Sequence, residues 1–144
     1  MICTFFGHRE TPMDIQPQLN DLLIDLIENK GANLFYVGNH GNFDIIVKNT
    51  LIELKKLYPH IDYLIVLAYL PVKKSPYEII DYSKTIYPDG LEKTPRRYAI
   101  SKRNLWMIDE ADTVITYVKY KTGGAAKFKE ISQKKGKKVI NLAE

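Results

Sequence analysis

Short apolar runs alternate with stretches of helical period along the whole chain. Residues 2–6, "ICTFF", read as a buried strand. Ile15, Leu19, Leu22, Leu23, Leu26 and Ile27 then recur in steps of three and four, the stripe of an amphipathic helix. Pro17 fits only the first turn of that helix, and Gly31 marks its end. "ANLFYVG" (32–38) predicts a second strand and residues 43–59 a second helix closed by Pro59. "DYLIVLAYL" (62–70) is apolar almost throughout, the pattern of a central strand covered on both faces.

Residues 71–95 carry four prolines and form the longest irregular stretch. Helical period returns over 96–111, followed by a fourth strand in "DTVITYVKY", a helix from about 124 to 135 and a fifth strand in "KKVINL". Strands alternating with helices predict a parallel sheet with helices on both faces. The expected fold is therefore α/β, a doubly wound, mainly parallel five-stranded Rossmann-like sheet. A length of 144 residues without repeat, linker or low-complexity tract fits one domain spanning 1–144.

In such a sheet ligands gather at the carboxyl ends of the strands. The loops expected there are "GHRETP" (7–12), "GNHGNFD" (38–44), the 71–95 segment and "KTGGA" (121–125), three of them with glycine where the strand ends. Glycine lets the backbone turn sharply and bring N–H groups close to an anion. Gly7, His8 and Arg9 form one candidate group, Gly38, Asn39, His40, Gly41 and Asp44 a second, and Gly123, Gly124 and Ala125 a third. His8 and Arg9 offer two donors at a strand end, where no core role is evident. His60 reads as a surface residue. Tyr82, Tyr87 and Tyr98 offer faces for a base, although tyrosines near Pro and Gly more commonly pack loops down, whereas Trp106 reads as core or subunit packing.

The net charge of +4 arises from 21 Lys and Arg against 17 Asp and Glu. The excess gathers in Lys93, Arg96, Arg97, Lys102 and Arg103 and in a lysine-rich C-terminal segment, which points to phosphate-bearing partners or simply to solvated helix faces. Cys3 stands alone, so no internal disulfide can form. No metal-ligand spacing, P-loop or nucleophile elbow occurs, and the chain calls for no cofactor. The first loop lacks the dinucleotide fingerprint, and no acidic residue ends the second strand. No apolar run approaches the roughly 20 residues of a membrane span, and the N-terminus lacks a basic leader, so the expectation is a cytoplasmic protein without membrane contact.

"SKRNLWMIDEADTVITYVKYKTGGAAKFKE" resembles the core of the SLOG superfamily, which unites the DNA-processing Smf proteins with the LOG, or lysine-decarboxylase-like, proteins. The LOG signature is an Arg-Lys pair, a Met, an Ala-Asp ending the helix, an apolar strand and then PGGxGTxxE. Arg103 and Asn104 stand for the pair, Met107 for the Met, Ala111 and Asp112 for the Ala-Asp, Gly123 and Gly124 for the glycines and Glu130 for the Glu. Gly38 and Gly41 match the glycines of the second loop. With "CTFFGHRETP" and "FYVGNHGNFD", the chain looks like a small stand-alone branch of the superfamily found in bacteria and their phages.

The resemblance implies a phosphorylated ribonucleotide, or a nucleotide-derived signalling molecule, bound at the edge of the sheet through Arg103, Asn104 and the glycine turn. It also implies two alternatives. One is LOG-type hydrolysis of nucleoside 5′-monophosphates at the N-glycosidic bond, with Arg103 and Glu130 as the catalytic residues. The other is single-stranded DNA binding, as in the Smf proteins. Superfamily relatives are often dimers, so a homodimer is one implied assembly. The chain departs from the LOG pattern at Thr122, Ala126 and Lys127, and its connection from Asp112 to Gly123 is longer by four residues.

Overall fold

A computed structural model describes residues 1–79 and 81–144. Six parallel strands form one sheet: β1 (Ile2–Gly7), β2 (Leu34–Val37), β3 (Asp62–Val66), β4 (Thr85–Ile86), β5 (Thr113–Tyr117) and β6 (Lys138–Asn141), in spatial order β4-β3-β2-β1-β5-β6. Among the described residues, four α-helices connect them: α1 (Gln16–Lys30), α2 (Gly41–Leu57), α3 (Ala99–Glu110) and α4 (Gly124–Lys134). The strand beyond the expected five is β4, which lies inside the 71–95 segment. Its two residues are too few to leave a hydrophobic period in the sequence.

Side chains alternate between the two faces of the sheet, as the strand pleat requires. Cys3, Phe5, Phe35, Val37 and Ile115 face α1 and α2 and pack with Leu19, Leu23, Phe43 and Leu51. Phe6, Tyr36, Val66 and Val114 face the other way and pack with Met107, Ile108 and Phe128 of α3 and α4. Trp106 is half-buried on this second face, its ring 5.0 Å from that of Tyr36.

β3 departs from the central strand expected of residues 62–70. It ends at Val66, and Tyr63, Leu64 and Ile65 are only half-buried. Its outer neighbour β4 pairs with it at only two positions, Ile65 to Thr85 and Val66 to Ile86, so most of β3 lies close to the sheet edge. The helix expected from residue 96 begins at Ala99, after a 3-10 turn over Arg96–Tyr98. The chain order reverses between β1 and β5: β2, β3 and β4 extend the sheet one way from β1, and β5 and β6 the other way.

Candidate functional site

The loops that follow β1, β2 and β5 meet the first turns of α3 and α4 around a cavity of about 480 Å³. That volume lies in the range of roughly 300–1,000 Å³ usual for small-molecule sites. Each loop arrives there for its own structural reason.

Gly7 ends β1, and a side chain at this position would run into the Phe43 ring of α2. The glycine therefore serves strand-to-helix packing and leaves its backbone at the cavity wall. His8 follows, and its Nε2 accepts backbone N–H groups from Lys119 at 2.8 Å and Tyr120 at 3.3 Å. The imidazole acts here as an acceptor, so its proton resides on Nδ1, and burial holds its pKa below the ordinary value. His8 thus ties the loop after β5 to the end of β1, a scaffold role that sequence reasoning did not assign. Arg9 is exposed at the rim.

The second loop is built around Asp44. Its carboxylate accepts the backbone N–H of His40 at 2.9 Å across the N-terminus of α2, and a Cβ on Gly38 would sit 2.8 Å from Asp44 Oδ2. The carboxyl pKa is pushed up to about 6, because burial outweighs the His40 hydrogen bond and the attraction of Arg103. Gly38, His40 and Asp44 line the cavity, whereas Asn39 and Gly41 do not. Gly41 has φ 86°, and a side chain there would meet Arg9 Cα at 2.9 Å. It lets the first two loops touch, with Asn42 N–H donating to the Arg9 carbonyl at 2.8 Å.

Arg103 reaches the cavity from α3 and is only 2% exposed. Its Nε donates to Asn104 Oδ1 at 2.8 Å. One terminal nitrogen donates to Asn39 Oδ1 at 3.1 Å and the Val66 carbonyl at 2.9 Å, and the other lies 3.3 Å from His40 Nδ1. Four of the five guanidinium N–H groups are thereby spent on the scaffold. Arg103 clamps α3 to the ends of β2 and β3. Desolvation lowers its pKa while the Asp44 carboxylate opposes that shift. His40 is also held below the ordinary histidine range, by burial first and then by Arg103 and Arg9.

The glycine pair opens α4. Gly123 adopts φ 102° and ψ 174°, a conformation essentially confined to glycine, and precedes the first helical residue, Gly124. No side chain caps this helix, and the N–H groups of Gly124 and Ala125 have no partner among the described residues. Gly123, Gly124 and Ala125 all line the cavity, and positions for a Cβ on either glycine are open.

Sequence reasoning missed several cavity residues. Ile100 and Ser101 bring the first turn of α3 to the site, and the Ser101 hydroxyl makes no hydrogen bond among the described residues. The signal was present as helical spacing, since Ile100, Arg103, Asn104 and Met107 share one face of α3. Lys127 adds a cation from α4, and Phe6 and Phe128 stack with centroids 5.6 Å apart in the cavity wall.

Glu130 lies elsewhere. It is exposed on the outer side of α4, paired with Lys134 at 3.0 Å, because six residues of helix after Gly124 carry it round from the face that bears Lys127 and Phe128. The carboxylate within the cavity is Asp44. Tyr82, Tyr87 and Tyr98 likewise lie outside the cavity lining. Three cationic side chains, Arg9, Arg103 and Lys127, thus face one carboxylate, with the N-termini of α2, α3 and α4 around them. Arg9 and Lys127 make no ion pair among the described residues. This arrangement suits an anion.

No protein-family model matches the chain, and no curated protein matches it. Among the described residues, no helix is long and apolar enough to cross a membrane.

Proposed function

We propose that the protein binds a phosphorylated ribonucleotide or a nucleotide-derived molecule in the manner of a SLOG-type domain, with a phosphate in the cavity at the carboxyl edge of the sheet. The observation that carries this reading is the open, uncapped start of α4 at Gly123 and Gly124, with Lys127 in the same first turn and Arg9 at the rim of a cavity that the first turns of α2 and α3 also enter. Unpartnered N–H groups and positive helix ends favour a multiply charged oxyanion, and Lys127 adds an exposed ammonium where the LOG pattern has a neutral hydroxyl. Arg103 acts in this reading by holding His40 and Asn104 in place more than by touching the ligand, since only one of its N–H groups is left for it.

A second reading, hydrolysis of the N-glycosidic bond, draws on Asp44. A carboxyl with a pKa of about 6 inside the cavity can hold or release a proton near neutrality. Glu130 offers no such chemistry from its position beside Lys134. Single-stranded DNA binding would draw on the lysine-rich end, where Lys129, Lys134 and Lys135 are paired with Glu144, Glu130 and Asp109 while Lys119, Lys121 and Lys138 make no ion pair among the described residues.

The test is a thermal-shift screen against sulfate, nucleoside monophosphates, ADP-ribose, cyclic nucleotides and NAD, each mixture then chromatographed for free base. A ligand at about one hundred times its Kd adds about 2.7 kcal/mol to stability. The expected result is stabilisation that Arg9→Gln with Lys127→Gln removes. Free base that disappears with Asp44→Asn establishes the hydrolytic reading, and no shift with any of the anions overturns both.

A further inference from the structure

Beside the anion cavity lies a second groove of about 350 Å³, walled by Glu10 and Pro12 from the loop after β1 and by Tyr117, Lys119 and Tyr120 from the loop after β5. The two recesses share His8 and Arg9, so one ligand can extend from one into the other. The groove opens at the reversal of strand order. There the loop after β1 leads to α1 on one face of the sheet, and the loop after β5 leads to α4 on the other. Crevices at such reversals are where open α/β sheets admit extended ligands.

The groove is furnished with groups that the fold does not use. Tyr120 is 62% exposed, and its backbone is tethered, because its N–H and that of Lys119 both donate to His8 Nε2. Its ring lies 5.2 Å from the His8 ring at 40°, leaving an aromatic face to the groove. Neither the Tyr120 nor the Tyr117 hydroxyl makes a hydrogen bond among the described residues, and Glu10 and Lys119 make no ion pair among them. An exposed aromatic held by its backbone, next to an unpaired carboxylate, gives a flat ring a surface to stack on and an acceptor at its edge.

We propose that this groove is the base subsite of the ligand whose phosphate occupies the anion cavity. A planar nitrogen heterocycle stacks on Tyr120 while His8, through Nδ1–H, faces the sugar-phosphate between the two recesses. Glu10 can only accept hydrogen bonds, so it suits a base edge that presents adjacent N–H donors, as guanine does. The proposal rests on the reading of the first cavity as a phosphate site.

The experiment compares guanosine 5′-monophosphate with ribose 5-phosphate by calorimetry on the full chain and on Tyr120→Ala and Tyr120→Phe. The parent protein is expected to bind the nucleotide at least about tenfold more tightly than the sugar phosphate. Tyr120→Ala should weaken the nucleotide by about 5- to 150-fold, the range spanned by one base–aromatic stack, with ribose 5-phosphate unchanged. Tyr120→Phe should keep the parent's preference. Equal affinity of the parent for both probes, or an equal loss of both in Tyr120→Ala, overturns the base subsite while leaving the phosphate site standing. Binding of neither probe overturns the phosphate site and the subsite with it.

Discussion

Replacing Asp44 with Asn tests whether this cavity is built for an anion at a cost to the fold. Among the described residues, Asp44 carries the only carboxylate in the cavity lining, and burial moves its pKa from 3.8 to about 6 despite the nearby Arg103. The folded state therefore binds more protons than the unfolded state between those two values. Stability is greatest below the unfolded pKa, falls as pH rises through the interval, and stays reduced above the folded pKa. At about 1.4 kcal/mol per pH unit, the ionised carboxylate costs about 3 kcal/mol at pH 8 and roughly half of that at pH 5. Asn keeps an oxygen to accept the His40 N–H and removes the charge. Asp44→Asn should thus raise stability at pH 8 by up to about 3 kcal/mol, or roughly 2–4 °C in Tm for each kcal/mol, with the gain shrinking toward pH 5. Sulfate, which does not titrate in this range, should bind more tightly to the variant, because a like charge is gone. Denaturant melts at several pH values with and without sulfate check both expectations. A variant less stable than its parent at pH 8, or a gain independent of pH, would refute the reasoning and make the Asp44–Arg103 attraction the larger effect.

Gly123→Ala should lower stability by about 1–3 kcal/mol, since its φ of 102° is open to glycine alone, and should also weaken sulfate binding; unfolding melts and calorimetry read the two effects separately. Glu130→Gln should leave ligand binding unchanged and alter stability by less than about 0.5 kcal/mol, as expected for an exposed pair one helical turn apart, and a large loss of binding would return Glu130 to the site. The His8 contact should respond to acid. Its folded pKa lies below the ordinary 6.5, so the contact is intact above that value and is lost as pH falls through the folded pKa, when Nε2 becomes a donor facing two N–H groups. The amide resonances of Lys119 and Tyr120 should then titrate together with the His8 ring, with a midpoint below 6.5, and independent titration would refute the His8 tether.

The α/β alternation was legible because it rests on local periodicity: steps of three and four in α1, and apolar runs in β1, β2 and β5. β4 was not, because two residues carry no period and only the edge of β3 selects them. The site was legible to the extent that glycine at a strand end is a backbone requirement. Gly38, Gly123 and Gly124 all line the cavity. The position of Glu130 was not, because a motif fixes a residue's place in the chain but not the phase of the helix face that bears it. Asn39 lies outside the cavity lining for a related reason. A polar side chain next to a glycine turn reads the same whether it faces a ligand or, as here, holds Arg103 from behind.

Arg103 and His8 on one side, and Arg9 and Lys127 on the other, divide the work of the site in a way that explains its charge. Arg103 and His8 look from sequence like ligand contacts, yet both are committed to the scaffold: one joins α3 to the ends of β2 and β3, the other joins the loop after β5 to the end of β1. A buried guanidinium held by Asn39, Asn104, His40 and a carbonyl cannot reorganise when a ligand arrives, so its field is in place beforehand at no further ordering cost. Arg9 and Lys127 have the opposite character, being exposed and without an ion pair among the described residues, so their charge is free for a ligand. A buried field behind and exposed cations in front favour recognition of a phosphate common to many ligands. Selectivity among those ligands must then come from a surface beyond the phosphate, which is the part that the Tyr120 groove is placed to supply.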